Sequence, residues 1–151
     1  TWEVTGVDVE PGAAALAREN ALRLGAWNAL RVLVGDLFAP LRPGERFDLI
    51  VGNPPYVRND EIPHLMVDVR EHEPRRALAG GADGLDLVRR IVAAAPEWLA
   101  PGGVLALEIG CEQGAAARAL LAAHGFLELE VTRDLGQRER VVSGVLGPRT
   151  G

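Results

Sequence analysis

Asp48-Leu49-Ile50-Val51-Gly52-Asn53-Pro54-Pro55-Tyr56 joins a short apolar run to an amide, two prolines and an aromatic ring. The run reads as a buried strand, and the four residues after Gly52 as a stiff loop leaving its carboxyl end. Neither proline has an N–H, so the backbone here cannot continue a sheet ladder. The carbonyls of Gly52, Asn53 and Pro54 are free to face a ligand instead. Each residue that precedes a proline is also biased away from helical geometry, which stiffens Asn53 and Pro54. An asparagine on a rigid arm, beside outward carbonyls and an aromatic ring, suits a planar group that carries N–H donors.

The flanking sequence says what sheet this strand belongs to. Upstream, residues 4–9 read as a strand ending near an acid. Pro11 suits a first helical turn, Ala13, Leu16, Ala17, Ala21 and Leu24 recur at helical spacing, and Gly25 sits where a C-terminal cap belongs. Residues 30–34 are a second strand followed by Gly35-Asp36, and residues 40–46 a turn-rich connection. Downstream, residues 57–82 have no clean period and contain Pro63, Pro74 and Gly80-Gly81, so they read as a long ordered loop with room for a helical turn. From Gly84, the apolar positions Leu85, Val88, Ile91, Val92, Ala95 and Leu99 make a helix that Pro96 should kink or shorten. Pro101-Gly102-Gly103 is a stop, and residues 104–109 are a strand. A helix over 114–123 and two last strands over 126–132 and 141–146 complete the chain. Strands alternating with helices predict an open α/β fold with a mostly parallel, doubly wound sheet.

Composition sets bounds. The chain has 151 residues, 48% apolar and 25% charged, which suits one ordinary globular domain. Its net charge of −5 provides no field that favours nucleic acid. All 16 basic residues are arginine, which with the abundant alanine and glycine reads as a coding bias. One cysteine, Cys111, excludes an internal disulfide and fits a reducing cytoplasm. No apolar stretch approaches membrane-spanning length, and the first residues resemble neither a signal nor a transit peptide. His64, His72 and His124 lack metal spacing, so no metal is expected.

In open α/β sheets ligands bind outside the carboxyl ends of the strands. Asp8, Asp36, Asn53 and Glu108 all fall at or near such an end. A carboxylate in the position of Asp8 can accept from both ribose hydroxyls, and Asp36 can accept from an adenine amino group. Each acid, taken singly, reads equally as a loop acid or a helix cap. Together with the 53–56 loop they favour a nucleoside-type cofactor.

Asn53-Pro54-Pro55-Tyr56 resembles the signature loop of S-adenosylmethionine-dependent methyltransferases that act on planar nitrogens, shared by adenine-N6 and glutamine-N5 enzymes. Further stretches separate the two. Glu71-His72-Glu73-Pro74-Arg75-Arg76-Ala77-Leu78, Gly80-Gly81, Asp83-Gly84-Leu85-Asp86, Pro101-Gly102-Gly103, Leu107-Glu108-Ile109-Gly110, Gln113-Gly114, and residues 134–142 with Arg138-Glu139-Arg140-Val141 are similar to the release-factor glutamine N5-methyltransferase family (PrmC/HemK). The resemblance implies a Rossmann-like class I fold with S-adenosyl-L-methionine as cofactor. The implied substrate is the glutamine of a Gly-Gly-Gln tripeptide in a peptide chain release factor, with no direct contact to nucleic acid or membrane and a cytoplasmic location. It assigns Asn53 and Pro54 the catalytic positions, accepting the two amide N–H bonds of the glutamine. Pro55 and Tyr56 complete the substrate wall, and Asp8, Asp36, Leu37 and Asn53 fall to the cofactor. Leu37 stands where the family often has a larger residue. Glu73 and Arg75 either shape the substrate loop or form a structural ion pair. The alternatives are a ribosomal-protein glutamine methyltransferase, an adenine-N6 nucleic-acid methyltransferase, or an inactive truncated remnant.

The resemblance also sets an expectation about what is absent. The family's first strand, its glycine-rich loop and its N-terminal helical domain lie upstream of the position of Asp8, so residues 1–151 read as a methyltransferase domain without them. The gap would fall between the strand of Asp8 and the strand of Asn53. The 151 residues alone should therefore bind S-adenosylmethionine weakly or not at all. Titration calorimetry on this chain tests the point, and tight binding would refute it.

Overall fold

The computed structural model describes residues 2–66 and 74–148, without the side chain of Arg75. Expectations that rest on Glu71, His72 and Glu73, and on the Arg75 side chain, lie outside the described residues. The elements run β1 (Val4–Asp8), α1 (Pro11–Arg23), β2 (Leu30–Val34), β3 (Phe47–Gly52), a 3-10 turn (Ile62–His64), α2 (Arg75–Leu78), α3 (Asp86–Trp98), β4 (Leu99–Glu108), α4 (Gly114–Ala123), β5 (Phe126–Arg133) and β6 (Glu139–Leu146). They fall into two compact units, Thr1–Glu45 and Arg46–Gly151.

In the first unit β1 and β2 pair in parallel, from Val4 opposite Leu30 to Asp8 opposite Val34. A parallel pair needs a crossover, and α1 provides it. The helix opens on Pro11, whose missing N–H costs nothing in the first turn, and it buries Ala14 and Ala21, two turns apart on one stripe. Gly25 follows it with φ of 69°, the left-handed conformation that ends a helix most cheaply in glycine. Two arginines tie the unit together. Arg18 Nη2 donates to the Val32 carbonyl at 2.8 Å, and Arg31 forks onto the Glu45 carboxylate at 2.7 and 2.9 Å.

The second unit is a four-stranded sheet in the order β3-β4-β6-β5. β3 and β4 are parallel, while β6 runs antiparallel to both its neighbours. The core comes from alternation on the strands meeting helical stripes: Leu105, Leu107 and Ile109 from β4 and its end, Val88, Val92 and Ala95 from α3, Ala117 and Leu121 from α4. Phe126, Val142 and Leu146 close it beneath the final hairpin. β4 starts at Leu99, so Pro101-Gly102-Gly103 lies inside the strand instead of stopping the chain ahead of it, and over residues 103–108 burial alternates.

Two further expectations change, and the helical turn for which the long loop has room is present. α3 is not split at Pro96; it continues to Trp98, and the Leu99 N–H closes it on the Ala95 carbonyl. A proline in the last turn forfeits a single backbone bond, which the buried stripe outweighs. The long loop after Tyr56 carries a 3-10 turn and a one-turn helix, and Val57 makes an isolated parallel bridge to Ala79. The reading of residues 48–52 as a buried strand needs correction. β3 is an edge strand, with Leu49 46% and Val51 70% exposed, because within its sheet it has a neighbour on one side only. β1 and β3 belong to different sheets.

Leu107 is fully buried beside exposed Val51, and the two strands are in register one residue apart. Leu107→Ala should cost about 2–5 kcal/mol through lost burial and a cavity. Val51→Thr should cost under about 0.5 kcal/mol, as exposed substitutions do. The shift in urea midpoint of each variant checks the contrast.

Candidate active site

The 53–56 loop leaves β3 at Gly52, where even a methyl would come within 3.1 Å of Leu107 Cδ2. Asn53 is exposed, Pro54 buried, and Pro55 and Tyr56 half-buried. Among the described residues, neither the Asn53 side chain nor the Pro54 carbonyl has a hydrogen-bond partner. Two acceptors thus stand open, side by side in sequence, at the carboxyl edge of a parallel strand.

The backbone immediately after Pro55 is held tightly. The Val57 N–H donates to the Leu78 carbonyl at 3.0 Å, and the Gly80 N–H returns to the Val57 carbonyl at 2.8 Å. The Asn59 N–H bonds the Gly81 carbonyl at 3.0 Å. Gln113, at the end of the loop after β4, donates from Nε2 to the Tyr56 carbonyl at 3.0 Å and to the Asp83 carbonyl at 3.1 Å. Its Oε1 accepts from the Gly110 N–H at 2.8 Å. Glycine is required where these backbones meet. A Cβ on Gly84, whose φ is 78°, would overlap Gln113 Nε2 and the Tyr56 carbonyl oxygen, and one on Gly80 would sit 2.8 Å from the Pro55 oxygen.

The 80–86 turn has its own fastening. Asp83 accepts from the Leu85 N–H at 3.1 Å and pairs with the Arg89 guanidinium, which also reaches Asp86. The Arg89 hydrogen bonds, then the Leu85 N–H, hold the Asp83 carboxyl at about 2, down from 3.8. On the other flank Arg140 bonds Asp134 across the β5–β6 hairpin at 3.2 Å, and its backbone carbonyl accepts from Ile109 N–H at 2.9 Å. Glu108 is half-buried at the end of β4, opposite Val141.

Asp8, Asp36 and Leu37 lie in the first unit, at the carboxyl ends of β1 and β2. The Gly35 N–H donates to the Asp8 carbonyl at 3.0 Å, joining the two strand ends. Both carboxylates are exposed. Asp8 spends one oxygen on the Glu10 N–H at 2.7 Å; its second has no partner among the described residues. Leu37 adopts φ of 50°, a left-handed conformation that costs a leucine about 1–2 kcal/mol. Strain of this kind gathers at sites whose backbone shape matters. A crevice of about 210 Å³ between α1 and this strand pair is lined by Gly6, Val7 and small alanines. That falls short of the roughly 300–1,000 Å³ of ligand pockets.

Among the described residues no group of three or more histidines, cysteines or acids is placed to hold a metal ion, and no helix is long and apolar enough to cross a membrane. Cys111 is exposed, and His124 bonds the Leu120 carbonyl within its own helix. The sequence reading gave Gln113 no role. The signal available was a long amide at a helix N-cap position, three residues after a glycine that ends a strand.

Comparison with solved structures places the fold. A methyltransferase from Pyrococcus furiosus superposes with a TM-score of 0.70 at 17% identity, over 97% of this chain and 64% of that one. An RNA methyltransferase from Salinibacter ruber, solved with S-adenosyl-L-homocysteine, gives 0.57 at 14% identity, over 99% and 69%. The architecture is that of the Rossmann-like, class I S-adenosylmethionine-dependent methyltransferases. No protein-family model matches the chain. Sequence relatives are nearer: release factor glutamine methyltransferases from Geobacter sulfurreducens, 46% identical over 145 residues, and Clostridium acetobutylicum, 41% over 146. Each match takes in 96% of this chain but only 50% and 51% of the relative, so the chain spans about half the length of the curated relatives it matches. Over that half it is similar in sequence to the release factor glutamine methyltransferases.

The lowered pKa of Asp83 fixes a sign. Its contribution to stability is in full force above the ordinary value of 3.8 and is lost as pH falls through about 2. Asp83→Asn should flatten that part of the stability–pH curve. Because the pair is about half exposed, solvent keeps the effect small. Urea midpoints of both proteins across this acid range provide the check.

Proposed function

We propose that this chain is the catalytic part of a protein-glutamine N5-methyltransferase acting on a peptide chain release factor. The observation that carries the reading is the pair of unpartnered acceptors, Asn53 Oδ1 and the Pro54 carbonyl, on a proline-stiffened loop anchored from behind. A primary amide has two N–H bonds and a lone pair delocalised into its carbonyl, which makes it a poor nucleophile. Two fixed acceptors that take both N–H bonds hold the nitrogen in one orientation and favour the localised, pyramidal lone pair needed for attack. That is catalysis by positioning and preorganised electrostatics. Tyr56 walls the flat amide, and Pro54 and Pro55 keep the loop from rearranging as it fills.

The donor set suits S-adenosylmethionine. Asp8 and Asp36 present exposed carboxylates at adjacent strand ends, chemistry that matches ribose hydroxyls and an adenine amino group. Half-buried Leu37 supplies an apolar flank. When bound, this cofactor supplies an electrophilic methyl group on a sulfonium, which departs as a neutral thioether. The glutamine nitrogen gains the N–C bond and loses one proton, which is taken up by water, to which Asn53 is exposed. No strong base is needed, because methylation itself makes that proton acidic.

In the full-length protein, Asn53→Ala should lower kcat by about 10²-fold or more, the scale set by removing one preorganised hydrogen-bonding group. Cofactor affinity should change far less. A radiolabel assay offering release factor and DNA in parallel reads the substrate class. Label on the release factor glutamine supports the proposal, and label on DNA, or full turnover by Asn53→Ala, overturns it.

A further inference from the structure

The Gln113 amide has one permitted orientation. Its two neighbours at 3.0 and 3.1 Å, the Tyr56 and Asp83 carbonyls, can only accept, and its third, the Gly110 N–H, can only donate. Nε2 therefore faces the carbonyls and Oε1 the amide, and both N–H bonds of the side chain are used. Gln113 occupies the N-cap position of α4 yet makes no capping bond to that helix. The side chain is committed elsewhere, to three backbone segments that are distant in sequence.

The Tyr56 carbonyl and the Val57 N–H belong to one peptide group. That plane is pinned on one side by Gln113 and on the other by the Leu78 carbonyl at 3.0 Å. Between it and the Pro54 carbonyl stand only the φ and ψ torsions of Pro55 and Tyr56. The pyrrolidine ring locks φ at Pro55; beyond the Pro54 carbonyl, toward Asn53, φ of Pro54 is locked as well and ψ at Asn53 and Pro54 is restricted because each precedes a proline. A tilt of the 56–57 peptide has only ψ of Pro55 and the two torsions of Tyr56 in which to be absorbed before it reaches the Pro54 carbonyl.

We propose that Gln113 is a positioning residue for methyl transfer: by pinning the 56–57 peptide against Asp83 and Gly110 it sets where the Pro54 carbonyl and Asn53 stand. The inference rests on the reading of those two groups as acceptors for the substrate amide. Gln113 touches no reacting atom. Its effect belongs in kcat, since a misplacement of about 1 Å costs on the order of 10²-fold.

Two substitutions test it in the full-length protein. Gln113→Glu keeps the acceptor for Gly110 but turns a second carboxylate oxygen onto two carbonyls; when protonated, it can again donate to one of them. Gln113→Met removes every polar contact at similar length. The expected result is a kcat loss of about 10²-fold in both at alkaline pH, with KM for S-adenosylmethionine and thermal midpoint little changed. As pH falls, the Glu variant should recover relative to wild type and the Met variant should not. Wild-type kcat in either variant, a loss matching the unfolded fraction, or no acid recovery of the Glu variant would overturn the proposal. Amide hydrogen exchange separates it from the functional reading, because it needs no substrate. Faster exchange at Val57 in both variants, and at Gly110 in Gln113→Met alone, supports the pin even if wild type fails to methylate glutamine. Unchanged exchange at Val57 overturns the pin whatever the activity.

Discussion

A segment with two consecutive prolines has no backbone donors of its own, and the second unit is arranged around that shortage. Pro54 and Pro55 cannot be tied into the sheet through N–H groups, so this loop is secured through carbonyls and through the first donors after it. Tyr56 is held by its oxygen, Val57 by both its groups, and Asn59 by its nitrogen. The partners come from residues 78–83 and from Gln113, which explains why glycines crowd there. Only residues without a Cβ let one backbone lie directly on another, as Gly80 and Gly84 do against Pro55 and Tyr56. The outcome is a loop rigid on its inner side and chemically open on its outer one.

Local signals carried much of this into the sequence. Pro11, the alanine and leucine spacing and Gly25 delimit α1 to within a residue or two, because caps and periodicity are short-range effects. The apolar positions of α3 are those found buried, and the hairpin of β5 and β6 sits where a charged turn separates two alternating runs. Asn53-Pro54-Pro55-Tyr56 was legible as a stiff polar loop because proline imposes its geometry regardless of context. Exposure was not legible. Val51 reads as core by its side chain, yet whether an apolar strand is covered depends on which neighbour the sheet supplies. Nor was Gln113: a glutamine in a glycine-rich loop has no periodicity, and its partners at Tyr56 and Asp83 are 57 and 30 residues away.

The charged residues do a different task from the polar ones. Arg31 with Glu45, Arg89 with Asp83, and Arg140 with Asp134 are partly exposed pairs that each close a turn or a hairpin. None contributes much stability alone. Asp8 and Asp36 stand exposed at strand ends. Their carboxylates belong to the same edge of the first unit, where Leu37 holds a strained backbone.

The exposed margin of β3 has a practical consequence. A strand with one neighbour presents a row of unsatisfied N–H and C=O groups on its free side, and here Leu49 and Val51 add apolar surface to it. The chain carries no lysine, the residue natural sheets most often use to blunt such margins, and its two prolines come just after the strand rather than within it. Edge-to-edge pairing with a second strand is thus the association that the margin of β3 leaves open.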